Sequence, residues 1–79
     1  MVYDPAKFAE GTNVRVATRA ALEEFLRSWK LHNKLQPTQL DYAGRTAKVK
    51  KNYMYHGGDV LYELEDVPGI WHEQCLAPA

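Results

Sequence analysis

Arg45-Thr46-Ala47-Lys48-Val49-Lys50-Lys51-Asn52-Tyr53-Met54-Tyr55-His56-Gly57-Gly58-Asp59-Val60-Leu61-Tyr62-Glu63-Leu64-Glu65-Asp66 reads as two strands joined by a glycine turn. Ala47 and Val49 share one face of the first strand, and Thr46, Lys48 and Lys50 share the other, the two-residue period of a half-buried strand. Tyr53, Met54 and Tyr55 carry that strand toward His56-Gly57-Gly58-Asp59, where paired glycines supply the positive φ of a tight reversal. On the returning strand Val60, Tyr62 and Leu64 face one way, and Glu63 and Glu65 the other. The spacing predicts strands within 45–55 and 59–66.

Upstream, residues 1–10 read as a loosely held lead-in. Gly11-Thr12 marks a turn, and Val14 and Val16 alternate in a short strand within 13–17. The period then changes. Thr18 is placed to cap a helix with its hydroxyl, and Leu22, Phe25, Leu26 and Trp29 recur at i, i+3, i+4 and i+7, one apolar stripe. Glu23 and Arg27 suit an i,i+4 pair on the wet side. Cations at Lys30 and Lys34 suit the helix C-terminus, Asn33 suits a cap, and Pro37 forbids continuation, so the helix is expected over 19–33. Leu40 and Tyr42, in the connection to the next strand, are expected to dock on the core. Downstream, Val67-Pro68-Gly69-Ile70 has the chemistry of a type II turn. A last arm within 70–78 then contains a single helical turn near Glu73 and returns beside the first strand.

Seventy-nine residues bound this to a single domain over 1–79. Two Trp, five Tyr and two Phe supply most of the buried area that so short a chain needs. Cys75 is the only cysteine, which excludes an internal disulfide. The first residues lack the basic and apolar regions of a signal peptide, and no apolar run approaches a membrane span. A cytoplasmic protein with no membrane contact is therefore expected. Ten basic against ten acidic side chains remove any general pull toward polyanions.

Strands this short are unstable as a flat sheet, whereas curling into a small barrel protects their edges. The expected fold is mainly β, a small SH3-like barrel with one amphipathic α-helix inserted after the first strand. The helix stripe through Trp29 would seal a ring of strands enclosing Val14, Val49, Leu64 and Trp71. Gly11-Thr12-Asn13-Val14-Arg15-Val16 is similar to the "G-D-x-V-R-V" that opens one group of such barrels. Tyr42-Ala43-Gly44-Arg45-Thr46-Ala47-Lys48-Val49 is similar to their second strand, although Ala47 stands where glycine is usual. Leu61-Tyr62-Glu63-Leu64 and Trp71-His72-Glu73-Gln74-Cys75-Leu76 look like their last strands and closing turn. On these residues the chain resembles the nitrile hydratase β-subunit and electron-transport accessory protein superfamily. That resemblance implies a fold and an accessory role beside a larger partner; it transfers no catalytic residue.

Three groups of side chains carry chemistry. His72 and Cys75 lie at i, i+3, and with His56 they offer nitrogen and sulfur donors of the kind zinc accepts. The same Cys–His pair, with Glu73 as orienter, is the parts list of a nucleophile. Against both, a lone cysteine is more often a small buried hydrophobe, and an 80-residue barrel has little room for a pocket. Arg45, Lys48, Lys50 and Lys51, followed by Tyr53 and Tyr55, suit a nucleic-acid face; the plainer reading is an edge defended by lysine, with Glu63 and Glu65 neutralising it from the next strand. Tyr53, Met54, Tyr55 and His56 exceed what a hairpin needs and suit a protein contact. The function expected is thus a non-enzymatic protein-interaction or accessory module with no cofactor and another protein as partner. Self-association is left open. Nucleic-acid binding and a metal or thiol site stand as alternatives.

Overall fold

The computed structural model describes residues 7–54 and 60–79. The reversal expected at Tyr55 to Asp59 lies outside the described residues, as does the start of the lead-in. The chain is mainly β. Strands β1 (Asn13–Val16), β2 (Thr46–Met54), β3 (Val60–Leu64), β4 (Val67–His72) and β5 (Leu76–Pro78) form one antiparallel sheet in the order β4-β3-β2-β1-β5. Helix α1 (Arg19–Ser28) follows β1, and two 3-10 helices (Pro37–Tyr42 and Glu73–Cys75) precede β2 and β5.

The alternation read from the sequence is the one the sheet uses. Val14, Val16, Val49, Tyr62, Leu64 and Trp71 are all buried in one core cluster, which Leu22 and Phe25 of α1 join. Leu26 and Trp29 pack against it from its margin. Thr18 caps α1 by accepting the Ala21 amide at 3.2 Å. Leu40 is buried and Tyr42 half-buried against the same core, as expected.

Four local expectations are corrected. The helix stops at Ser28, five residues early: Trp29 turns to extended backbone, its amide closing the last bond on Phe25 and its indole Nε1 donating to the His32 carbonyl at 2.6 Å. Asn33 does adopt the left-handed φ of 50° that suits asparagine, but in the loop rather than at the helix end. On the wet face Glu23 pairs with Arg19 at 3.3 Å and Arg27 with Glu24. The lead-in is held where it is described, with Phe8 3% exposed, its amide on the Tyr62 hydroxyl and its carbonyl on Asn52 Nδ2.

The fourth correction concerns Pro68 and Gly69. The chain reverses at Glu65 and Asp66, with Asp66 at φ 61°, and Leu64 pairs directly with Val67. Pro68-Gly69-Ile70 then bulges out of β4 opposite the single residue Glu63, between the Leu64–Val67 and Tyr62–Trp71 pairs. Gly69 has φ 101°, and a Cβ there would stand 2.7 Å from the Gln39 side chain. Gln39, itself buried, donates Nε2 to the Ile70 carbonyl at 3.1 Å and accepts the Gln36 amide at 2.8 Å. The bulge thus docks the first 3-10 helix on the outer edge of β4.

The other outer edge is closed differently. Cys75 and Ala79, flanking β5, both bond to the β1 side, so by alternation Ala77 faces β1 and Leu76 and Pro78 face outward. The Leu76 amide is consumed by the Glu73 carbonyl, and Pro78 has none. That edge offers no donor to a foreign strand, a common defence of exposed edges.

Candidate functional site

Alternation along β4 sends Trp71 into the core and His72 to the opposite side, where the end of α1 covers it. His72 is 2% exposed, with the Phe25 and Trp29 rings each 4.8 Å from its own and the His32 ring at 5.8 Å. Its Nε2 donates to the Asn33 carbonyl at 2.8 Å. The early helix stop therefore has a purpose in packing: it brings the 29–33 loop back over β4 so that a backbone carbonyl meets the buried imidazole.

Cys75 sits in the second 3-10 helix at 2% exposure, and burial pushes its thiol up to about 11. It lines a groove of about 220 Å³ between α1 and that helix, with Ala17, Ala21, Phe25, Ser28 and Gln74. Glu73, expected as an orienter of a Cys–His pair, is committed elsewhere. Its Oε2 accepts the Tyr62 hydroxyl at 2.5 Å and the Lys7 amide at 3.1 Å. Among the described residues no three His, Cys, Asp or Glu side chains gather to hold a metal; the third donor expected for such a site, His56, lies outside them.

The basic strand is shaped by a second bulge. Val49 pairs with Leu64 and Lys51 with Glu63, so Lys50 is an extra residue in β2. Strict alternation would place Lys51 on the inner face with Ala47 and Val49. The bulge lets both Lys50 and Lys51 face solvent and turns Asn52 inward toward Phe8. Arg45, Lys48, Lys50 and Lys51 are all exposed. Glu63 lies opposite Lys51 and the Glu65 amide bonds the Lys48 carbonyl, so both acids stand beside the lysines as expected. Among the described residues the close ion pairs are nevertheless the two on α1, and Glu63 accepts the Tyr53 hydroxyl. The Arg45 guanidinium lies 5.5 Å over the Tyr42 ring and the Lys51 ammonium 5.4 Å over the Tyr53 ring. Arg15, which sequence reasoning left out, is exposed on β1 opposite Thr46 and beside the Asn13–Lys48 pair.

At the far end of β2, Tyr53 is half-buried and Met54 is 54% exposed, whereas Tyr55 and His56 lie outside the described residues. Register places Tyr53, Leu61 and His72 in one row across β2, β3 and β4. Because His72 touches Trp29, His32 and Asn33, the 29–33 loop continues that row, and Leu31 within it is 65% exposed. Leu31 and Met54 are the large hydrophobics exposed among the described residues, and both belong to this end of the sheet. Sequence reasoning missed Leu31 because it was counted inside the helix; the helix stripe, which omits Leu31, was the available signal. No protein-family model, curated protein or solved structure matches this chain.

Proposed function

We propose that this chain is a non-enzymatic interaction module on an SH3-like barrel, of the accessory kind that its motifs resemble. The strand order β4-β3-β2-β1-β5 supports the barrel reading, with a long, bulged β2 shared by a β5-β1-β2 half and a β2-β3-β4 half. So do the 3-10 turn before the last strand and the gathering of Val14, Val49, Leu64 and Trp71 in one cluster. The non-enzymatic reading is supported by the surroundings of Cys75, His72 and Glu73. A thiol raised to about 11 is a poor nucleophile near neutrality, and His72 and Glu73 hold a loop and a core tyrosine.

The observation that carries the interaction reading is the pair of exposed apolar side chains, Leu31 and Met54, at the end where Tyr53 and His72 form a row. Exposed methionine and leucine beside a half-exposed tyrosine, Tyr53, suit a contact surface. The chain should be purified with its partners under mild conditions beside a Leu31→Lys, Met54→Lys variant. A partner carried by the unchanged protein and lost by the variant, at equal thermal stability, is expected. A partner held equally by both would move the contact surface elsewhere.

A further inference from the structure

The basic strip shares only Tyr53 with the Leu31–Met54 end, and we propose that it binds the sugar-phosphate backbone of single-stranded nucleic acid. Arg15 on β1 and Lys48, Lys50 and Lys51 on β2 are exposed on the outer side of adjacent strands, and Arg45 stands at the entrance to β2. None of the five is in an ion pair among the described residues. Lys48 and Lys50 are two residues apart on an extended strand, about 6.6 Å, close to the phosphate repeat of an extended single strand. The Lys50 bulge adds Lys51 to the same side, so one strand offers three consecutive outward cations where strict alternation would offer two. The rings of Tyr42 and Tyr53, under Arg45 and Lys51, flank the strip at its two ends as surfaces on which bases stack.

An anionic membrane is the weaker fit, because peripheral attachment adds apolar insertion to charge, and neither Leu31 nor Met54 lies on this strip. Glu65 and Asp66 share a cleft of about 360 Å³ with Arg45 and Lys48, and Glu63 lies opposite Lys51 and shares a second cleft with Lys50. These three acids bound the strip along its β3 side and leave the β1 side, with Arg15 and Lys48, open to phosphate. The inference stands whether or not the Leu31–Met54 end binds a protein.

The test is fluorescence anisotropy with a labelled oligodeoxythymidylate of about 12 nucleotides, within the range one small barrel covers. Binding is expected at low salt. Log K should fall with log salt at a slope of about −3, or roughly 60-fold between about 50 and about 200 mM. An Arg15→Gln, Lys48→Gln variant should lower the affinity and flatten the slope by about 1. An Arg19→Gln, Arg27→Gln variant on α1 should change neither. No binding at low salt, an equal loss in the α1 variant, or tighter binding to phosphatidylserine vesicles than to the oligonucleotide would each overturn the proposal.

Discussion

Tyr62 is fully buried, yet its hydroxyl is the joint that holds the lead-in to the sheet. It donates to Glu73 and accepts the Phe8 amide, so one oxygen ties β3, the second 3-10 helix and the N-terminal segment together. Burial, reinforced by the Glu73 carboxylate, pushes its ionisation up to about 12, and burial alone pushes Cys75 up to about 11. Both groups hold their protons more tightly folded than unfolded. The stability they contribute is complete below the unfolded values of 9.0 for Cys75 and 10.0 for Tyr62, and it is lost as pH rises through about 11 and about 12. Unfolding free energies from urea titrations should therefore be level between neutrality and about pH 9 as far as these groups are concerned, then fall by up to ~1.4 kcal/mol per pH unit for each group. Tyr62→Phe should remove the later part of that fall. A profile still level at the alkaline end would mean that neither group is shielded as described. The Trp71 indole Nε1 is a contrasting case, buried with no hydrogen-bond partner among the described residues. It is a cost of roughly 1–3 kcal/mol set against the area the ring buries.

At the level of elements, β2 shows how a strand reconciles two incompatible patterns. Its first half reads inward at Ala47 and Val49, and its second half reads inward at Asn52, an odd number of residues later. Only an extra residue between them satisfies both, and Lys50 is that residue. A sharp contrast follows. Deleting one of Lys50 and Lys51 removes the bulge but leaves Ala47, Val49 and Asn52 facing inward, so the variant should fold with a loss of about 1–2 kcal/mol. Deleting Lys48 instead turns Ala47 outward and Thr46 inward against β1, and should cost at least 3 kcal/mol or abolish folding. Amide spectra and thermal melts of the two deletions decide it, and equal tolerance of both would dismiss the bulge as the device. The bulge at Pro68-Gly69-Ile70 has a different task, which is to seat Gln39 and close the edge of β4.

On the scale of the whole molecule, one cluster holds both layers. Leu22 and Phe25 of α1 are buried with Val14, Val49, Tyr62 and Trp71 of the sheet, so the helix has no core of its own. Helices as short as α1 are marginal alone, and its persistence depends on that shared interior. Unfolding should accordingly be a single transition, with the helical circular dichroism and the tryptophan fluorescence falling at one midpoint. Two separated midpoints would show the helix leaving before the sheet. No helix among the described residues is long and apolar enough to cross a membrane, and the radius of gyration of 12.0 Å is what a single domain of this length should have.

Period and punctuation were enough to reveal the mainly β class, the inserted helix with its Thr18 cap, the inward faces of β1 and β3, and the membership of one core by Val14, Val49, Leu64 and Trp71. These depend on side chains a few residues apart, whose partition between water and interior is decided by composition alone. The sequence also singled out the cations of β2 and the Tyr53–Met54 end as surfaces of interest. What lay beyond it were the places where distant segments compete for the same position. Asn33 reaches His72 only because the helix yields at Ser28; Gln39 decides that Gly69 belongs to a bulge rather than a turn; Glu73 is claimed by Tyr62 before it can serve His72 or Cys75. Each of these is a hydrogen bond between groups eleven to thirty-nine residues apart, or a backbone that bends to make one. Such a contact leaves no mark in local spacing, because its energy exists only once the core has brought the two segments together.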